Sequence, residues 1–380
     1  MERSVNRIRM LDILRGFAIL GTLGTNIWIF AYIGDSSQVV AFEVNKWWES
    51  MDKFLQTLVL TFVNGKFLGL LSVMFGVGLE MKYQQSLRKG SPWPGTYLWV
   101  SIILMLEGFI HFTLVMEYDI LMGYALAAII VAFIVRAGDK AIRRTIKWVG
   151  GIHLLLVSLL FAGIFLLANT GGDASYDSGV DFGAIYSSGT WFEQVQARLS
   201  NFLVLRFEVF FALPLNIVLF LCGVLLMRNG AFGDDEKGRG IRRKLMKWGI
   251  GLGLPLTLLS FVPLAGLDVF VRYLFAPLLA MGYLAVIARI LEWKPHFRLW
   301  NWLEQTGKMS LSCYVLQNIL STVIFYGWGL GLGGKLDSIQ IIGVWIAVSM
   351  VQLLFANVWL GIFKLGPMEG MRKRAVSLFS

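Results

Sequence analysis

Histidine occurs three times and cysteine twice in 380 residues. The two cysteines, Cys222 and Cys313, each sit inside an apolar run, which excludes a disulfide framework and a cysteine–histidine metal motif. Both read as buried thiols that behave as small apolar groups. Charge is scarce as well. Only 15% of the residues are Asp, Glu, Lys or Arg, against about 25% in a soluble domain. That shortage excludes an ordinary water-soluble enzyme, and no soluble appendage of useful size stands out. A cleavable leader is not expected either, because the first apolar run carries a charged pair and lacks a small-residue cleavage site.

What is present is apolar. Hydrophobic residues make up 57% of the chain, and they cluster in runs of roughly twenty, the length that crosses a bilayer. The expected fold is all-α: a polytopic membrane helical bundle forming one integral-membrane domain over residues 1–380. About ten transmembrane helices are expected, at roughly 11–33, 55–81, 96–116, 118–136, 146–168, 203–227, 247–265, 268–291, 309–328 and 339–363.

The net charge of +10 follows from this arrangement. With an internal N-terminus, one side collects Arg3, Arg7, Arg9, Lys82, Arg88 and Lys89, and then the basic groups from Arg136 to Lys147 and from Arg228 to Lys247. Lys294, Arg298, Lys308 and the Arg372–Arg374 cluster fall on that side too. The other side holds little besides Lys46, Lys53, Arg198 and Lys335. Cytoplasmic loops rich in Lys and Arg account for such asymmetry, so both termini are expected in the cytoplasm and nucleic acid is not an expected partner. On the external side, ANTGGDASYDSGVDFGAIYSSGTWFEQ reads as a flexible loop or a lid. The piece AFEVNKWWESMDKFLQ reads as an interfacial helix.

Ionisable groups inside a span are expensive and point to function or to pairing. In LDILRGFAILGTLGTN, Asp12, Arg15, Thr22 and Asn26 share a stripe about 80° wide at about 100° per residue. Asp12 and Arg15, spaced i,i+3, can pair, and Asp12 in the first turn also suits the helix dipole. In VNGKFLGLLSVMFGVG, Asn64 and Lys66 flank Gly65; a break there would carry Lys66 toward the outer surface. In LEGFIHFTLVMEYDIL, Glu107 and His111 are spaced i,i+4. A carboxylate on one ring nitrogen raises the basicity of the other, which suits a general base. Asp119 is the alternative carboxylate partner, and Glu117 is expected to be exposed at the turn. Arg206, Glu208 and Arg272 are external charges suited to lining a vestibule. Gln317 stands in the ninth span beside Ser310, Ser312 and Asn318, as a ligand contact or as interhelical glue. His153 and His296 read as structural or solvated.

In this order, RIRMLDILRGFAILGTLGTN, GKFLGLLSVMFGVG, IHFTLVMEYDILMGYAL, TGKMSLSCYVLQ and the stretch from Trp359 to GPMEGMRKR resemble the YeiB family of bacterial multi-pass membrane proteins. That family is similar to a transmembrane acyltransferase superfamily with an L-D-x-x-R-G opening helix. Its members include the O-acyltransferases of surface polysaccharides and heparan-alpha-glucosaminide N-acetyltransferase. The resemblance implies a bacterial plasma-membrane location and acyl transfer from cytosolic acyl-CoA to a small-molecule, glycan or lipid-linked acceptor. No metal is expected. Membrane lipids are expected partners, and a homo-oligomer stays open.

In the polysaccharide enzymes a histidine follows the arginine–glycine pair, where this chain has Asn26; Tyr118 stands where glycine is expected. An amide accepts no proton near neutral pH, so the base role falls to His111, held by Glu107 or Asp119. Asn26 or Lys66 would steady an oxyanion, and Arg15 and Lys308 would contact coenzyme A phosphates. The competing reading is a transporter or lipid-handling protein in which the same groups form a proton relay.

Overall fold

A computed structural model describes residues 8–35, 44–170 and 181–378. Arg3 and Arg7, and residues 171–180 of the expected external loop, lie outside them, as does the start of the expected interfacial helix. Every regular element among the described residues is helical. In chain order these are α1 (Arg9–Ala31), α2 (Met51–Val63), α3 (Lys66–Lys89), α4 (Thr96–Leu114), α5 (Leu121–Arg136) and α6 (Asp139–Asn169). Next come α7 (Phe182–Ser188), α8 (Trp191–Ser200), α9 (Phe202–Leu205), α10 (Val209–Arg228), α11 (Glu236–Gly251) and α12 (Gly253–Thr257). The chain closes with α13 (Leu267–Phe270), α14 (Ala276–Trp293), α15 (Arg298–Lys308), α16 (Ser310–Phe325), α17 (Ser338–Ile362) and α18 (Pro367–Ser377).

Among the described residues, seven helical stretches are long and apolar enough to cross a membrane, and α5 and α16 are shorter apolar helices. The expected span at 247–265 is not among them. There the helix begins at Glu236 in the charged run EKGRGIRRKLMK and breaks at Leu252, just before Gly253 and Pro255. The expected span at 55–81 is two helices, because Gly65 adopts φ 75° between α2 and α3. A side chain at Gly65 would also collide with the Arg272 carbonyl, 2.8 Å from a Cβ placed there.

Close backbone approach holds the bundle together, as it does where small residues face one another. A Cβ on Gly307 of α15 would stand 1.8 Å from the Asp12 carbonyl oxygen of α1. The outward faces of α6 and α17 instead present Leu155, Leu159, Leu166, Ile346, Met350 and Val358. Apolar faces of that extent are consistent with a membrane protein.

The end of the bundle rich in basic residues is closed by ion pairs. Arg9 and Lys308 both bind Glu304, at 2.8 and 2.6 Å. Arg228 binds the buried Glu80 at 2.9 Å and also Asp139. At the other end, Trp47 forms one 3-10 turn with Trp48 and Glu49 and donates its indole N–H to the Phe261 carbonyl at 2.8 Å.

Candidate functional site

Five segments converge at the end of the bundle away from the basic loops. They are the second half of α1, the start of α3, the α4–α5 turn, the chain leading into α10, and the α13–α14 junction. Between them lies a cavity of about 110 Å³, room for several waters or the polar end of a ligand. Asn26, Asp119, Arg206, Glu208, Arg272 and Asn216 line it, with Gly65, Leu68 and Gly69 of α3 forming part of the wall.

The α4–α5 turn brings a carboxylate to His111. It reverses the chain so that Asp119 Oδ1 reaches 3.0 Å from His111 Nδ1, while Asp119 Oδ2 accepts from the Met122 amide at 3.0 Å. His111 Nε2 stands 3.0 Å from Asn318 Nδ2 on α16, and the ring packs against Tyr314. Each ring nitrogen thus has a polar neighbour, and Asp119, its side chain fully buried, is the member of the pair that belongs to the cavity wall.

Of the two carboxylates expected to hold His111, Asp119 is the one the structure brings to it, and Glu107 is not. Glu107 accepts instead from Arg372 of α18, with Nε at 2.8 Å. A guanidinium offers a carboxylate a charge-assisted fork that a neutral imidazole does not. Glu117 is also not exposed: it is 2% accessible and accepts from the Tyr186 hydroxyl at 2.7 Å. Burial pushes the Glu117 carboxyl above its ordinary pKa, against the opposing pull of nearby Arg198. Arg198 itself donates to the Thr113 and Val115 carbonyls. In this way α7 and α8, the described part of the external segment, clamp the turn that carries Asp119.

Asn26 falls on the cavity. It is 5% exposed, and its Nδ2 has no hydrogen-bond partner among the described residues. Lys66 is fully buried at the first position of α3, its Nζ likewise without a hydrogen-bond partner among those residues. Arg206, Glu208 and Arg272 line the cavity. Arg206 donates to the Asp119 carbonyl at 2.8 Å and stacks on Phe112. Arg272 binds Glu208 at 2.7 Å and the Asn64 side chain at 3.1 Å.

Other expected site residues lie elsewhere. Arg15 pairs with Asp12 at 3.3 Å, and Lys308 with Glu304, both near the α1–α15 contact. Gln317 accepts from Gln352 of α17 at 2.6 Å and reaches Thr22 of α1 at 3.4 Å, so it ties three helices together. His153 contacts the Tyr273 carbonyl at 3.0 Å, a structural bond. Among the described residues, no group of three or more His, Cys, Asp and Glu side chains is placed to hold a metal ion. Among the cavity residues that the sequence does not single out are Ser72 and Asn216, which bond to each other at 2.8 Å. The signal for Asn216 was there: an amide inside the apolar run VFFALPLNIVLF.

Comparison with known proteins places this arrangement in a family. Residues 226–378 match a family model described as a protein of unknown function (DUF418). The chain is 26% identical over 388 residues to the uncharacterized protein YxaH of Bacillus subtilis (strain 168), covering 98% of this chain and 94% of that one. It is 30% identical over 397 residues to the uncharacterized protein YeiB of Escherichia coli (strain K12), covering 97% of this chain and 95% of that protein. The chain belongs to the YeiB family.

Proposed function

We propose that this protein is a transmembrane acyltransferase of the bacterial plasma membrane, with about ten spans and both termini in the cytoplasm. The acyl group comes from cytosolic acyl-CoA and passes to a hydroxyl or amine of an extracytoplasmic or lipid-linked acceptor. One observation carries the reading: the buried, unbonded Asn26 Nδ2 lies on the same cavity as Asp119, whose carboxylate is backed by His111. The likeness of the opening L-D-x-x-R-G helix to the acyltransferase superfamily supports it.

In this reading the acceptor oxygen or nitrogen attacks the thioester carbonyl, and its proton passes to the Asp119–His111 pair. Asn26 Nδ2 donates to the carbonyl oxygen as negative charge develops there. Collapse breaks the carbon–sulfur bond, and the proton leaves with the coenzyme A thiolate. Arg15 and Lys308 are the candidate contacts for coenzyme A phosphates, and each would have to share the carboxylate it now holds. The test is coenzyme A release from acetyl-CoA and longer acyl-CoAs by the protein in nanodiscs, with and without acceptor extract. Asn26→Ala should lower the rate by about 10²–10³. An unchanged rate removes Asn26 from the chemistry, and no release with any chain length sinks the enzyme reading.

The second reading, transport, has its own supporting observation. The α2–α3 break places a helix start beside a charged cavity, as the discontinuous helices of transporters do. Substrate-driven proton flux in liposomes without coenzyme A release would favour it.

A further inference from the structure

The cavity has spare donors. Of its carboxylates, Asp119 has Oδ1 3.0 Å from His111 Nδ1 and accepts from the Met122 amide at Oδ2. Glu117 takes the Tyr186 hydroxyl, and Glu208 Oε1 takes both Arg272 and the Tyr273 hydroxyl. Among the donors, Asn26 Nδ2 and Arg206 Nε and Nη2 have no partner among the described residues.

The broken span adds a further positive feature. Helix α3 runs 24 residues from Lys66 and has no side-chain cap at its start. The Gly65 carbonyl accepts the Gly69 amide at 3.0 Å, which leaves the Lys66, Phe67 and Leu68 amides outside the helix ladder. This end carries the positive pole of the helix dipole, and Gly65, Leu68 and Gly69 put it in the cavity wall. Lys66, buried at the end of the helix where a cation is least favoured, has the Asp268 carboxylate as its charged neighbour. Arg272 is anchored to Asn64, two residues before it. Unpaired buried donors are costly unless an acceptor answers them.

We propose that this cavity is an anion-binding site, taking a phosphate or carboxylate group between the start of α3, Asn26 and Arg206. Within the acyltransferase reading, on which this assignment of substrate class rests, the acceptor carries its own negative charge. That charge fixes the acceptor with its reacting group beside Asp119. In the family of ligands that fit, the phosphate belongs either to a soluble phosphate ester or to a lipid headgroup.

The experiment is thermal unfolding and calorimetric titration of the purified full chain in neutral detergent. The probes are glycerol 3-phosphate, acetate, short-chain phosphatidylglycerol and, as the uncharged control, glycerol. At least one anion should raise Tm saturably while glycerol does not. Response to the soluble anions alone assigns a soluble ester or acid, and response to phosphatidylglycerol alone assigns a lipid headgroup.

Arg206→Gln should weaken binding by about tenfold or more, which is about 1.4 kcal/mol. Arg206→Lys should fall between, because it keeps the charge and loses the fork. If Arg206→Gln does not fold, Arg206→Lys and Lys66→Met decide, and each should weaken the anion. No response to any anion, equal response to glycerol, or variants that bind like the wild type would overturn the site. Coenzyme A release is measured on the same samples: anion binding without release refutes acyl transfer and leaves the site standing. Release without anion binding does the reverse.

Discussion

The two ends of the bundle satisfy their buried polar groups to different degrees. At the basic end, Glu80 meets Arg228, Asp12 meets Arg15, and Glu304 is shared by Arg9 and Lys308. At the other end Arg272 is paired with Glu208, but Arg206 Nε and Nη2, Asn26 Nδ2 and Lys66 Nζ have no hydrogen-bond partner among the described residues. A buried charge that is paired and hydrogen-bonded can hold helices in register. One whose donors are unanswered costs stability and persists where something else uses it. Polarity in a span is thus a poor guide to function until its partners are known.

Mutation should separate the two ends, most strongly at the paired one. Arg228→Ala leaves Glu80, 1% exposed, without its cation, and should cost about 3–5 kcal/mol, read as a lower unfolding midpoint in detergent. Asn26→Ala removes a donor that bonds nothing among the described residues and with it an unmet desolvation cost of about 1–3 kcal/mol, so the unfolding midpoint should not fall while the proposed acyl transfer does. If Asn26→Ala destabilises as much as Arg228→Ala, the contrast between the ends collapses. Gly307→Ala is a control for packing alone. Its Cβ would meet the Asp12 carbonyl, and overpacking of this kind costs about 1–3 kcal/mol.

Much of this was legible in the sequence, and the failures have a common cause. Helix positions followed from apolar runs, and the possible break at Gly65 from a glycine beside two polar residues. The 3.6-residue repeat put Asn26 on a stripe and Glu107 on the His111 face, but it could not rank partners. Arg372 is 265 positions from Glu107, and only the fold brings the C-terminal helix against α4. Asp119 was visible because the turn is short. Gln317 looked like a candidate ligand contact, yet its partners Gln352 and Thr22 come from two other helices. Local spacing reveals which groups share a helix face; it carries no information about competition from distant segments.

The α4–α5 turn allows a test by pH. Glu117 lies between α4 and α5, buried against Tyr186 of α7, with Arg198 of α8, Arg206 and Tyr326 as its charged or titratable neighbours. Burial raises its folded pKa above the unfolded value, so the native state holds the proton more tightly. Between those two pKa values the folded chain binds more protons than the unfolded chain, and stability falls as pH rises through the interval. Glu117→Gln keeps an oxygen to accept the Tyr186 hydroxyl and removes the titration. The wild type should therefore lose unfolding midpoint on going from acid toward neutral pH more steeply than Glu117→Gln does. Parallel curves would mean that Arg198 offsets the burial of Glu117, and that this turn is held by ion pairing like the basic end.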